Sequence, residues 1–284
     1  MGKTIYLHIG LPKTASSLIQ AVFHRSPEVL RQFSVRYLSA GTDVFDDFGH
    51  HALVMAALGE AGARIDPGKS PELIAATWAK ALDEIAQCTE DKIFISSELF
   101  SLDMANPADI TRLRDSLAGY EVRIVLVLRD VVDFVNSVYA QRIRDGYDGE
   151  IETFVGHIWP SLNWANLAGR WSSVFGAANM ITLSFKDLDR SALVDDFFRK
   201  VFDVSYQAPL FETPHTNASL PHNAIALLKE LNGAGIPQDD MNRFRHELHQ
   251  FIGRHRPDLK RADFLNTDAK AMLRLHCTWP QTLG

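Results

Sequence analysis

Cysteine is scarce in this chain, with two residues, Cys88 and Cys277, among 284. That is too few for a disulfide framework, and each reads as a small buried hydrophobe rather than half of a redox pair. Basic charge is not in excess either: 29 Lys and Arg stand against 35 Asp and Glu, a formal net charge of −6. A dedicated nucleic-acid binder would carry a basic surface, so that class is set aside, while an anionic small ligand needs only a few local cations. No stretch reaches the ~18–20 apolar residues of a membrane span, and the run Ile124–Leu128 is cut by Arg129. The apolar residues Ile5 to Ile9 are too short a run for a secretory signal and lead into a Gly/Pro turn. A soluble, cytoplasmic protein with no integral membrane segment is expected. Repeats and low-complexity tracts are also missing. The 46% hydrophobic and 23% charged composition is that of an ordinary globular chain.

What is present alternates. Thr4–Ile9, Lys92–Ser96, Val122–Leu128 and Met180–Phe185 are short, nearly continuous hydrophobic runs of the kind buried on both faces of a parallel sheet. Between them lie helical patterns, such as Leu18, Ile19, Val22 and Phe23, or Leu73, Ile74, Trp78, Leu82 and Ile85. The order predicts an α/β fold in three layers, a central parallel sheet with helices on both faces. Beyond Phe185 only helices are expected, over 191–202, 222–231, 240–252 and 267–275. One domain over 1–284 is the expected organisation, with 205–284 as a helical C-terminal extension. The Gly- and Asp-rich stretch 33–70 breaks the rhythm and is expected to be a loop or lid, or to hold small elements that periodicity does not reveal.

The most informative segment is Gly10-Leu11-Pro12-Lys13-Thr14-Ala15-Ser16-Ser17. It follows a predicted strand and opens a predicted helix, where backbone N–H groups and the positive end of a helix dipole converge on one point. Lys13 adds a full charge and Thr14, Ser16 and Ser17 add hydroxyls. A simple helix cap would account for one hydroxyl residue, not for all three with a lysine. The nucleotide-hydrolase loop places Gly-Lys immediately before Ser or Thr, and no Gly-Lys-Ser/Thr exists here. A second constellation stands where the strand Val122–Leu128 meets Arg129 and Asp130. Arg129 falls at the carboxyl end of a buried strand, the rim at which open α/β sheets bind ligands. In the following helix Val131, Phe134, Val135, Val138 and Tyr139 share an apolar arc, and Ser137 lies on the opposite arc with Asp133 and Gln141. An arginine fork and a nearby hydroxyl suit a phosphate.

Together the two segments resemble the sulfotransferases that use 3′-phosphoadenosine 5′-phosphosulfate (PAPS), in their bacterial form. The loop resembles that family's Pro-Lys-Thr/Ser-Gly-Thr-Thr/Ser, with Ala15 in place of Gly. Arg129, Asp130, Ser137 and Tyr139 match its Arg-Asp-Pro…Ser…Tyr, with Val131 in place of Pro and Phe134 in place of a frequent Arg. Ile93–Glu98, Met180–Leu188 and Asn217–Leu220 resemble further segments more loosely.

The resemblance implies a P-loop-like fold and transfer of a sulfuryl group from PAPS to a hydroxyl or amine, leaving 3′,5′-adenosine bisphosphate. Lys13, Thr14, Ala15, Ser16 and Ser17 would then bind the 5′-phosphosulfate, Lys13 acting also in catalysis, and Arg129 and Ser137 the 3′-phosphate. No metal is implied. Glu98, just past a strand end, is the expected general base, with His50 or His51 as alternatives reaching in from 33–70. A small-molecule, lipid or glycan acceptor is expected; neither the acceptor nor the oligomeric state is legible. Two other readings stand beside this one: a P-loop kinase or hydrolase, and a non-catalytic adenosine-bisphosphate binder.

The remaining candidates have plainer readings. His8, inside a strand, is expected in the core. The pattern His246-Glu247-Leu248-His249, with His255 nearby, is one residue short of a zinc helix and reads as a solvated face. Trp159, Trp164 and Trp171 are spaced for packing, and Ser219 reads as a helix cap.

Overall fold

The computed structural model describes residues 2–45, 48–59, 71–206, 209–213, 220–256, 259 and 262–280. In chain order the elements are β1 (Thr4–His8), α1 (Ser16–Arg25), α2 (Pro27–Arg31), β2 (Val35–Tyr37), α3 (His51–Leu58), α4 (Pro71–Gln87), β3 (Lys92–Ser96), α5 (Leu99–Asp103), α6 (Pro107–Ser116), β4 (Glu121–Leu128), α7 (Val131–Arg144), α8 (Ile151–Ile158), α9 (Trp164–Phe175), β5 (Met180–Ser184), α10 (Leu193–Phe202), α11 (His222–Asn232), α12 (Gln238–His255) and α13 (Thr267–His276). The four strands expected from sequence are present. β2 is an addition within the 33–70 stretch, three residues long and too short for periodicity to register. Helix α3 occupies the same stretch. Within that stretch residues 46–47 and 60–70 lie outside the described residues, as do Asn217–Ser219 and the side chains of Leu73 and Ile74.

The chain divides into two compact units. The first gathers Met1–Arg129, Ala165–Thr213 and Pro280–Gly284. Its five strands form one wholly parallel sheet in the order β2-β3-β1-β4-β5. Tyr6 and His8 of β1 lie on one face beside Phe94 and Ser96 of β3, their register partners. Above that face Phe23 of α1 and Phe197, Phe198 and Phe202 of α10 build an aromatic core with Phe94 and Phe211. Each such fully buried phenylalanine contributes about 1.5–3 kcal/mol. The opposite face, with Ile5, Leu7, Ile93, Ile95, Ile124 and Leu126, is fully buried as well, which is why these strands read as unbroken hydrophobic runs. Helices cover both faces, and the architecture is the α/β type with a central parallel sheet.

The topology places a crevice beside β1. From β1 the chain crosses toward β2, whereas from β3 it crosses to β4 on the other side of β1. Adjacent strands whose connections leave in opposite directions open a cleft at their carboxyl ends, where such sheets bind ligands. Here that cleft lies between His8 and Ser96.

The second unit gathers Asp130–Trp164 and Pro214–Trp279. Helix α7 is its axis: Val131, Phe134, Val135 and Tyr139 are buried on the expected arc. The C-terminal helices dock on it through amide side chains. Asn232 donates to the carbonyls of Ile143 (2.7 Å) and Tyr147 (2.9 Å), and Asn136 holds Asp263 and the Phe264 N–H. Trp164 packs edge-on against Phe134, and Trp159 stacks on His276. Both cysteines are free thiols, and burial pushes that of Cys277 up to about 11. No helix among the described residues is long and apolar enough to cross a membrane.

Candidate anion-binding site

The loop 9–15 runs from the end of β1 to the start of α1 through three residues in the left-handed region: Gly10 (φ 45°), Lys13 (φ 66°) and Ala15 (φ 66°). For residues with a Cβ this conformation costs of order 1–2 kcal/mol each, so the rest of the loop must hold it. Two contacts do so. The Thr14 hydroxyl donates to the Leu11 carbonyl at 2.6 Å, and the Arg129 Nη1 donates to the Lys13 carbonyl at 2.6 Å. Arg129 is nearly buried and lies over the Phe185 ring. Ala15 occupies the cap position of α1, and no side chain caps that helix. Its first N–H groups therefore lack an intrahelical partner and keep the electrostatic character of an anion site.

Among the loop residues predicted from sequence, Lys13 and Ala15 are half-buried, Thr14 and Ser16 buried, and Ser17 exposed. Thr14 uses its proton inside the loop, and its oxygen stands 3.5 Å from that of Ser16. Gly10 is required by close approach as well as by φ: a Cβ there would stand 3.1 Å from the Ser16 Oγ and 3.5 Å from the His8 Nε2.

Glu98 follows β3 at the other lip of the crevice, half-buried, with the Gln20 amide 3.2 Å from its Oε2. The same amide nitrogen reaches the Ser96 Oγ at 3.1 Å, and the His8 Nδ1 lies 2.8 Å from that hydroxyl. His8, Gln20 and Ser96 thus form a buried polar chain that ends at Glu98. His8 is a core residue, as expected, and burial pushes it down to about 3. Sequence reasoning passed over Gln20. Its signal was a long amide side chain at a helix position turned toward the sheet.

The two alternative histidines differ. His50 is fully buried, with its Nε2 2.8 Å from the Leu38 carbonyl and its Nδ1 3.1 Å from the Ser96 N–H. Both ring nitrogens are engaged, and burial pushes it down to about 4; it ties β2 to β3 structurally. His51 is half-buried, with its Nδ1 2.6 Å from the Ser97 Oγ, next to Glu98 in the chain. Ser137 is half-buried on α7 in the second unit. At the head of that helix the Asp130 carboxylate accepts from the N–H groups of Val132 and Asp133.

No family model and no curated protein matches the chain. Among solved structures it is similar to a sulfotransferase from Alicyclobacillus acidocaldarius, at 13% identity and a TM-score of 0.49 over 88% of this chain and all of that one. A likeness this distant transfers neither activity nor site residues.

Proposed function

We propose that this protein is a PAPS-dependent sulfotransferase. What supports the reading is the hydrogen bond from Arg129 to the Lys13 carbonyl, which joins the two phosphate-type motifs at the open N-terminus of α1. The fit to a phosphate group rests on that uncapped helix, the left-handed loop around Lys13, and the space kept clear at Gly10. In this reading PAPS supplies the sulfuryl group. Lys13 stabilises the charge that grows on the leaving 5′-phosphate, and the loop amides hold its remaining oxygens. Arg129 selects the 3′-phosphate, and Ser137 is assigned to the same group on its spacing from Arg129 alone. Glu98 accepts the proton of the acceptor hydroxyl or amine. The acceptor is a small molecule, lipid or glycan met in the cytoplasm.

Thermal unfolding with 3′,5′-adenosine bisphosphate, ADP and ATP–magnesium in parallel tests this without an acceptor. Ligand at about 100 Kd stabilises by about 2.7 kcal/mol, a shift of several degrees. A larger shift with the bisphosphate than with ADP supports the reading. A shift with ATP–magnesium alone replaces it with a kinase or hydrolase.

A further inference from the structure

The buried chain beneath the loop has a direction that hydrogen-bond chemistry fixes. An ionised Glu98 carboxylate only accepts, so the Gln20 group 3.2 Å away is its NH₂. The second hydrogen of that NH₂ meets the Ser96 Oγ at 3.1 Å. Having accepted there, the Ser96 hydroxyl turns its own proton to the His8 Nδ1 at 2.8 Å, which therefore accepts. A ring held neutral by burial carries one proton, and that proton must sit on Nε2.

The Nε2 is buried and has no hydrogen-bond partner among the described residues. Its place is specific. The point that a Gly10 Cβ would occupy lies 3.5 Å from the His8 Nε2 and 3.1 Å from the Ser16 Oγ, so the ring tip and that hydroxyl both border the place kept open by Gly10, with no hydrogen bond between them. A buried N–H without an acceptor is costly, and native structures rarely keep one without a use.

We propose that His8 is a positioning residue of the anion loop: it is locked as the Nε2–H tautomer by Ser96 and Gln20, and its unpartnered Nε2–H is taken up by the Ser16 oxygen when a phosphate binds, which turns the Ser16 proton toward that phosphate. The inference rests on the reading of this loop as a phosphate site and deepens it. It also gives Glu98 and the loop a shared hydrogen-bond chain, with Gln20 as its turning point. Nothing is transferred along the chain; it sets which groups donate and which accept.

The test is long-range ¹H–¹⁵N NMR of the full chain with ¹⁵N-labelled histidine, His8 being assigned by the loss of its signals in His8→Phe. At pH 7 the expected result is a protonated Nε2 and an unprotonated, hydrogen-bonded Nδ1, with the Nε2 resonance moving when inorganic pyrophosphate is added. Ser96→Ala should abolish the single tautomer. His8→Phe keeps the ring packing against Phe94 and Phe197 and should weaken pyrophosphate binding about tenfold. If His8→Phe fails to fold, His8→Asn supplies the assignment; if Ser96→Ala fails to fold, the spectrum of the parent protein alone decides. An Nδ1–H tautomer overturns the proposal, and so does pyrophosphate that binds without moving Nε2; both leave the loop reading intact. No pyrophosphate binding at all overturns both. Adenosine bisphosphate that binds no better than ADP removes the sulfotransferase reading and leaves the His8 assignment standing.

Discussion

The strand-to-helix junctions after β1 and after β4 are built to opposite purposes. After β4 the chain turns within two residues, and the Asp130 carboxylate immediately occupies the N-terminal amides of α7. That helix end is satisfied by the chain itself and is closed to any other anion. After β1 the chain takes seven residues to turn, three of them left-handed, and delivers α1 with no side-chain cap. Evolution commonly caps a helix start with Ser, Thr, Asp or Asn, worth about 1 kcal/mol. Here that stabilisation is forgone and strain is accepted at Lys13 and Ala15. The difference teaches that a helix N-terminus is a candidate site only where the sequence declines to satisfy it. The closed junction contributes the clamp: Arg129, its last residue before the cap, reaches the Lys13 carbonyl of the open one.

The comparison breaks most sharply at Lys13. Lys13→Ala should lower release of adenosine bisphosphate from PAPS by about 10²–10³-fold, the scale of losing one transition-state charge stabiliser, while much of the nucleotide binding survives. A variant that keeps its rate would return the loop to a plain strand-to-helix turn.

Acid should strike next, beneath the open junction. His8 and His50 are pushed down to about 3 and about 4, below their unfolded value near 6.5. Between those values the unfolded chain binds protons that the folded one refuses, so their contribution is intact above about pH 6.5 and is lost as pH falls toward about 4 to 3. The loss is on the order of a few kcal/mol, read as a falling melting temperature. His8→Phe should flatten that fall, and an unchanged slope would contradict a neutral His8.

Arg129→Ala should cost roughly 10–100-fold in adenosine bisphosphate affinity, the scale of a charge-assisted contact. Because the guanidinium also holds the Lys13 carbonyl, ADP should lose affinity as well, though less. Equal losses would make Arg129 a loop brace alone; no loss of either would remove it from the site.

At the closed junction Asp130→Ala should lower stability by about 1 kcal/mol through loss of the cap without touching anion binding by the loop. The smallest effect is expected from Ala15→Gly. Relief of a left-handed alanine is offset by the extra freedom of glycine in the unfolded chain, leaving a gain of roughly 0.5–1 kcal/mol in denaturant melts. Destabilisation there would mean that the methyl group packs more than it strains.

Composition and periodicity made much of this molecule legible. Short hydrophobic runs rich in β-branched residues and bounded by turn residues suit strands buried on both faces, and four of the five strands were readable for that reason, whereas the apolar run Ala52–Leu58 forms the helix α3. β2 was not, because three residues at a sheet edge carry no period and its partner β3 supplies the specificity. Lys13 and Arg129 were legible because spacing along a chain survives folding. That Arg129 would grip the Lys13 carbonyl was not, since 116 positions separate them and only the parallel pairing of β1 with β4 brings their ends together. His50 carried the same letter as a lid histidine and proved to be a buried tie between strands. Residue type and spacing thus set the strands, the loop and its charges. Tertiary structure alone decided which polar groups pair with which, because burial leaves each of them only the partners that the sheet register puts within 3 Å or so.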